Sequence, residues 1–174
     1  GLWRPNAESE KTLEYLKHLE ADKKKTLCIW PYHCLQGTSG AALENQFANM
    51  AYFHSVARNS SLMRLVKGQQ EVTEFYGIIK PEYDPEGYVN DYFISELAKY
   101  DKVVIAGEAK DYCVYETLVQ MLELFAHDRE TQEKIYILED CMSAIQPKSV
   151  ADDMYSSLAS AGAIHLVKST EDFL

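Results

Sequence analysis

The chain has 174 residues, 47% of them hydrophobic and 25% charged, enough for one domain with a sizeable core and too apolar for compositional disorder. Its 17 Lys and Arg against 27 Asp and Glu leave a formal charge of -10, which disfavours nucleic acid and anionic membrane surfaces as partners. No apolar run approaches the roughly 20 residues needed to cross a bilayer, and the polar, Lys/Glu-rich opening does not read as a secretory leader.

The predicted elements run as follows. Residues 8–22 place Leu13, Leu16 and Leu19 on one face of an amphipathic helix, and Lys23 to Lys25 form a solvated break. TLCIW, 26–30, reads as a short strand ended by Pro31. A helix is expected over 38–58, with Ala42, Phe47, Met50, Phe53 and Val56 as core positions. LMRLV, 62–66, reads as a second strand, running into Lys67 and Gly68. A long loop covers 69–88, and long loops in compact domains often serve function. Asn90 caps a helix reaching about Tyr100. Val103 to Ala106 form a strand, 112–127 a helix, IYIL (135–138) a strand, and 149–161 a helix closed by Gly162. Ala163 to Val167 form the last strand.

Apolar runs alternating with helices argue for a parallel sheet, whose ligands gather beyond the carboxyl ends of the strands. That rule collects Trp30 to His33, Lys67, Glu108 to Cys113 and Asp140 on one rim. Cys113 sits where a helix begins, a position that favours thiolate, although free cysteines are also common space-fillers. Lys67 is either a surface lysine or the partner of a thiolate or oxyanion. Asp111 and Glu116 set negative charge near Cys113, which Lys67 would have to offset. His33 is either structural or a metal ligand through neutral imidazole. Trp30 and Tyr32 either wall a flat-ring pocket or pack in the core, and Tyr76 is a candidate lid residue. GEAKDYC has no GxGxxG or Walker spacing, so nucleotide phosphates are not indicated. Cys28, Cys34, Cys113 and Cys141 form no CxxC pair, which points to a reduced, cytoplasmic setting.

Together WPYHCLQGTSGA (30–41), LVKG (65–68), GEAKDYCV (107–114) and YILEDCMSA (136–144) resemble the isochorismatase-like cysteine hydrolases, nicotinamidases above all. The resemblance runs from about residue 26 to the end. It implies a three-layer α/β/α sandwich with a mainly parallel sheet. It also implies hydrolysis of a small amide such as nicotinamide to an acid and ammonia through a thioester. Cys113 matches the nucleophile and Lys67 the catalytic lysine. Ala109 and Cys113 match the oxyanion-hole N–H groups, after a cis peptide that would be Glu108–Ala109. Trp30 matches a ring-stacking residue and His33 one ligand of a divalent metal, zinc or iron.

The family's Asp-x-Gln and Asp-x-His motifs do not occur before residue 30. The expectation is a single domain over 1–174, N-terminally incomplete and lacking the first family strand. A homo-oligomer or a missing N-terminal fragment would then cover the open strand edges. The alternative is a catalytically incomplete module on the same fold that binds small molecules or oligomerises.

Overall fold

A computed structural model describes residues 7–22 and 26–173; the expected break at 23–25 lies outside the described residues. The chain divides between Val66 and Lys67 into two compact units.

In the first unit, α1 spans Ala7–Asp22. Its buried stripe is Tyr15 and Leu19, flanked by half-buried Thr12 and Leu16, the spacing of one helical face. Leu13 falls off that stripe and is 51% exposed, so the expected Leu13–Leu16–Leu19 face is rotated towards Tyr15.

A single 3₁₀ turn, Ser39–Ala41, precedes α2, Asn45–Arg58. Glu44 caps α2 by accepting the Phe47 N–H at 2.9 Å. The helix starts later than residue 38, and Ala42, Phe47, Met50, Phe53 and Val56 are exposed rather than core, Val56 at 81%. Its half-buried positions are the small residues Ala48, Ala51 and Ser55.

Residues 26–30 and 62–66 form no strand. A strand exists only through a ladder with a neighbour, and neither segment joins the sheet formed by the described residues. Pro31 also removes a backbone donor at the end of the first segment.

The second unit opens with the expected long loop and then α3, Asp91–Leu97. Asn90 caps α3, its side-chain oxygen accepting the Phe93 N–H at 3.1 Å. The sheet is parallel, in the order β1 (Val103–Glu108), β2 (Ile135–Ser143), β3 (His165–Val167). Between β1 and β2 lie a π-type turn, Lys110–Val114, then α4, Tyr115–Leu124, and the short α5, Arg129–Gln132. Between β2 and β3 lies α6, Lys148–Ser160, followed by Gly162 at φ +70°.

Ile135 and Ile137 of β2 are fully buried against Leu118 and Met121 of α4, Tyr155 of α6, Ile79 and Ile164. Half-buried Val103 and Ile105 of β1 join that core, while Val104, pointing to the opposite face, is 41% exposed. The β1–β2 register breaks near the carboxyl ends. β2 advances from Ile137 to Met142 while β1 advances only from Ile105 to Gly107. Gly107 takes φ +118° there, a conformation few L side chains adopt, and it turns the chain towards Cys113.

Candidate active site

The turn that carries Cys113 is anchored on three sides. The Glu108–Ala109 peptide at the end of β1 is cis, as the resemblance implies. The Ala109 carbonyl then accepts the N–H groups of Tyr112 and Val114, at 3.2 and 3.1 Å, and starts the turn.

Lys110 and Asp111, the next two residues, are buried. The Lys110 ammonium reaches Asp152 at 2.6 Å and lies 5.2 Å from the centre of the Tyr155 ring. The Lys110 carbonyl accepts the Tyr155 hydroxyl at 2.6 Å, and burial pushes that phenol's pKa well up, so it stays a donor. The Asp111 carboxylate accepts the Ile145 and Gln146 N–H groups at 2.9 and 2.6 Å. Its two oxygens thus hold the loop after β2.

The Lys110 ammonium, with Lys148 beside it, keeps the Asp152 carboxyl below its ordinary value of 3.8. A carboxylate whose pKa falls on folding stabilises the fold above its unfolded value and loses that contribution as pH drops through the lower folded value. Asp152→Asn is therefore expected to lower stability by about 2–3 kcal/mol near neutral pH, because it strands a buried ammonium. The difference from wild type should shrink only in strong acid, below about pH 4. Urea unfolding across pH checks this; equal stabilities at neutral pH would refute it.

Cys113, in this turn, is half-buried. Its sulfur accepts a hydrogen bond from Lys67 Nζ at 3.0 Å, across 46 positions of sequence. The same ammonium donates to the Phe75 and Tyr76 carbonyls, both at 2.7 Å. An ammonium has three donors and no acceptor, so this set saturates it. Lys67 thus joins the Cys113 sulfur to the main chain at residues 75 and 76.

No protein-family model matches the chain, and no curated protein matches it. Solved structures do. The yeast nicotinamidase bound to the inhibitor nicotinaldehyde superposes with a TM-score of 0.59 at 22% identity, over 82% of this chain and 59% of that one. A Leishmania infantum protein in complex with nicotinate gives 0.55 at 23% identity, over 82% and 62%. The Pyrococcus horikoshii pyrazinamidase in complex with zinc gives 0.51 at 18%, over 94% and 87%. The chain has the nicotinamidase fold. It spans about three fifths of the length of the yeast enzyme.

Within this nicotinamidase fold, Lys67, Tyr76, Ala109 and Cys113 all belong to the second unit, and Lys67 ties Tyr76 to Cys113 directly. Tyr76 contributes its main-chain carbonyl, while its hydroxyl donates to Glu74 at 2.9 Å. Lys67 stands in an irregular segment rather than at the end of a strand.

Asp111 faces the loop at 145–146, so the charge expected to press on Cys113 is occupied elsewhere. Asp140 is likewise engaged, accepting the Ser169 N–H at 2.9 Å and its hydroxyl at 2.5 Å. These bonds hold its carboxyl below the usual carboxylate range.

In the first unit, Trp30, Tyr32 and His33 are exposed, and His33 Nδ1 lies 2.6 Å from the Pro31 carbonyl. Among the described residues no three His, Cys, Asp or Glu side chains come together as a metal site. The described donor set therefore does not fit a divalent metal on His33.

Sequence reasoning missed Lys110, Thr117 and Gln120. A signal for the last two was present: Cys113, Thr117 and Gln120 stand at i, i+4 and i+7, one stripe of a helix.

Proposed function

We propose that the chain carries the nucleophilic part of a cysteine amidohydrolase acting on a small aromatic amide such as nicotinamide or pyrazinamide. The Lys67–Cys113 contact of 3.0 Å carries this reading. The Cys113 thiolate adds to the amide carbonyl carbon, and the Ala109 and Cys113 N–H groups receive the oxyanion. The carbon–nitrogen bond breaks, and the nitrogen takes a proton from solvent and leaves as ammonia. Water then cleaves the thioester, releasing the acid and returning the thiol. The Lys67 ammonium holds negative charge on sulfur before attack and after thioester hydrolysis.

The nicotinaldehyde and nicotinate held by the structural neighbours support a pyridine carbonyl as the substrate type. Tyr76, beside Lys67 in the second unit, enters the proposal as a substrate-binding residue. All four cysteines are free, which supports a reducing, cytoplasmic setting.

The direct test is ammonia release from nicotinamide and pyrazinamide by the reduced, folded chain. Release above the protein-free rate supports the reading, and none from either amide refutes it for this chain. An oligomerising module is the second reading, favoured by the exposed Phe47, Met50, Phe53 and Val56 of α2. It predicts assembly in sedimentation without ammonia release.

A further inference from the structure

The segment that supplies two of the three acceptors to Lys67 is itself held by helix α4. Phe75 and Tyr76 offer their carbonyls to the ammonium. Directly after them comes Gly77, where an added Cβ would stand 2.3 Å from Gln120 Oε1, so the amide packs straight onto the main chain. The Ile78 N–H donates to Thr117 Oγ1 at 3.2 Å, and the same hydroxyl donates to the Cys113 carbonyl at 2.7 Å. The Ile79 and Lys80 N–H groups donate to Gln120 Oε1 at 3.1 and 3.2 Å, and Gln120 Nε2 donates to the Lys80 carbonyl at 3.0 Å.

Gln120 is 5% exposed. A buried amide is costly unless it is hydrogen-bonded, and an apolar side chain would fill the same place without that requirement. This one makes all three of its bonds to a single stretch of main chain. That stretch adjoins the carbonyls that cradle Lys67. Cys113, Thr117 and Gln120 thus form one ridge of helix, reading from the reactive sulfur to the clamp.

We propose that Gln120, assisted by Thr117, is a positioning residue for the nucleophile. By clamping Gly77–Lys80 to α4 it fixes the Phe75 and Tyr76 carbonyls, so that the remaining N–H of the Lys67 ammonium falls on the Cys113 sulfur. The inference rests on the reading of Cys113 as nucleophile and Lys67 as its cationic partner. A loosened segment lets the ammonium follow its two carbonyls away from sulfur. The thiolate then loses its counter-charge although neither Lys67 nor Cys113 has changed.

The test is the rate at which iodoacetamide alkylates Cys113, read by peptide mass because Cys28, Cys34 and Cys141 are also free thiols. Gln120→Met is expected to slow alkylation on the order of tenfold near neutral pH. It should leave the rate unchanged at strongly alkaline pH, where any thiol is ionised. In a Lys67→Met background, Gln120→Met should add no further slowing, since it acts through Lys67. Thr117→Val should slow alkylation in the same pH-dependent way, and Thr117→Ser, which keeps the hydroxyl, should restore most of the rate. Thr117→Val carries the test if Gln120→Met does not fold.

A folded Gln120→Met with the wild-type neutral rate, or slowed equally at both pH values, overturns the proposal. So does slowing that adds to that of Lys67→Met. If Lys67→Met is slow and Gln120→Met is not, only this inference fails. If Lys67→Met itself alkylates at the wild-type rate, the Lys67–Cys113 pairing fails and takes this inference with it.

Discussion

Cys113→Ala is expected to remove ammonia release completely within assay sensitivity, a loss of at least about a thousandfold. In the proposed reaction the sulfur is the atom to which the acyl group is transferred. Cys113→Ser should be nearly as inactive, since a hydroxyl beside an ammonium stays protonated where a thiol ionises. Neither change should disturb the fold greatly, because Cys113 is half-buried and its turn is held at Lys110 and Asp111. Circular dichroism separates loss of chemistry from loss of fold. Wild-type protein quenched with acid during turnover should carry an acyl group on the peptide containing Cys113. Undiminished ammonia release from Cys113→Ala would refute the nucleophile assignment outright.

The turn that carries Cys113 is held from several elements. Gly107 redirects the chain out of β1, and the buried Lys110–Asp152 pair and the two N–H bonds of Asp111 fix its first residues. Tyr155 closes the arrangement from α6. The buried charges therefore serve geometry: each is paired or doubly hydrogen-bonded, as a buried charge must be. Lys67 then donates to the Cys113 sulfur.

Much of this fold is legible in local sequence. IYIL, VVIA and the Asn90 cap declare β2, β1 and α3, because an apolar run between turn residues and a capping side chain are local signals. The segments TLCIW and LMRLV carry a similar apolar signal and form no strand. Composition states that a segment can pair, and only a neighbour decides that it does. The stripe of Phe47, Met50, Phe53 and Val56 gives the same lesson for helices. Periodicity puts those residues in one region of the helix surface but says nothing of what covers it.

The site divides likewise. Cys113 is marked by its place after β1, and Lys67 becomes convincing only through the resemblance of the whole set of motifs. The Phe75 and Tyr76 carbonyls leave no trace in sequence, because every residue has a carbonyl. Thr117 and Gln120 do leave one, as polar positions at i+4 and i+7 from Cys113.

Lys67→Met is expected to cut Cys113 alkylation near neutral pH by about tenfold to a hundredfold, and ammonia release by at least as much. Methionine keeps the length and apolar stem of lysine, so the loss isolates the ammonium. Two effects add. The sulfur loses the cation 3.0 Å away, and the Phe75 and Tyr76 carbonyls lose their shared donor, which loosens the segment between Thr73 and Lys80. Lys67→Arg separates them. Arginine keeps the charge but presents a planar fork, which cannot reach three acceptors arranged around a single nitrogen. It should recover part of the alkylation rate and little of the hydrolysis, because attack requires the sulfur to be aimed as well as ionised. Hydrogen exchange at residues 75–80 should rise in both variants and more in Lys67→Met. Full alkylation and hydrolysis rates in Lys67→Met would mean that the contact at Cys113 is incidental packing, and the amidohydrolase reading would lose its main support.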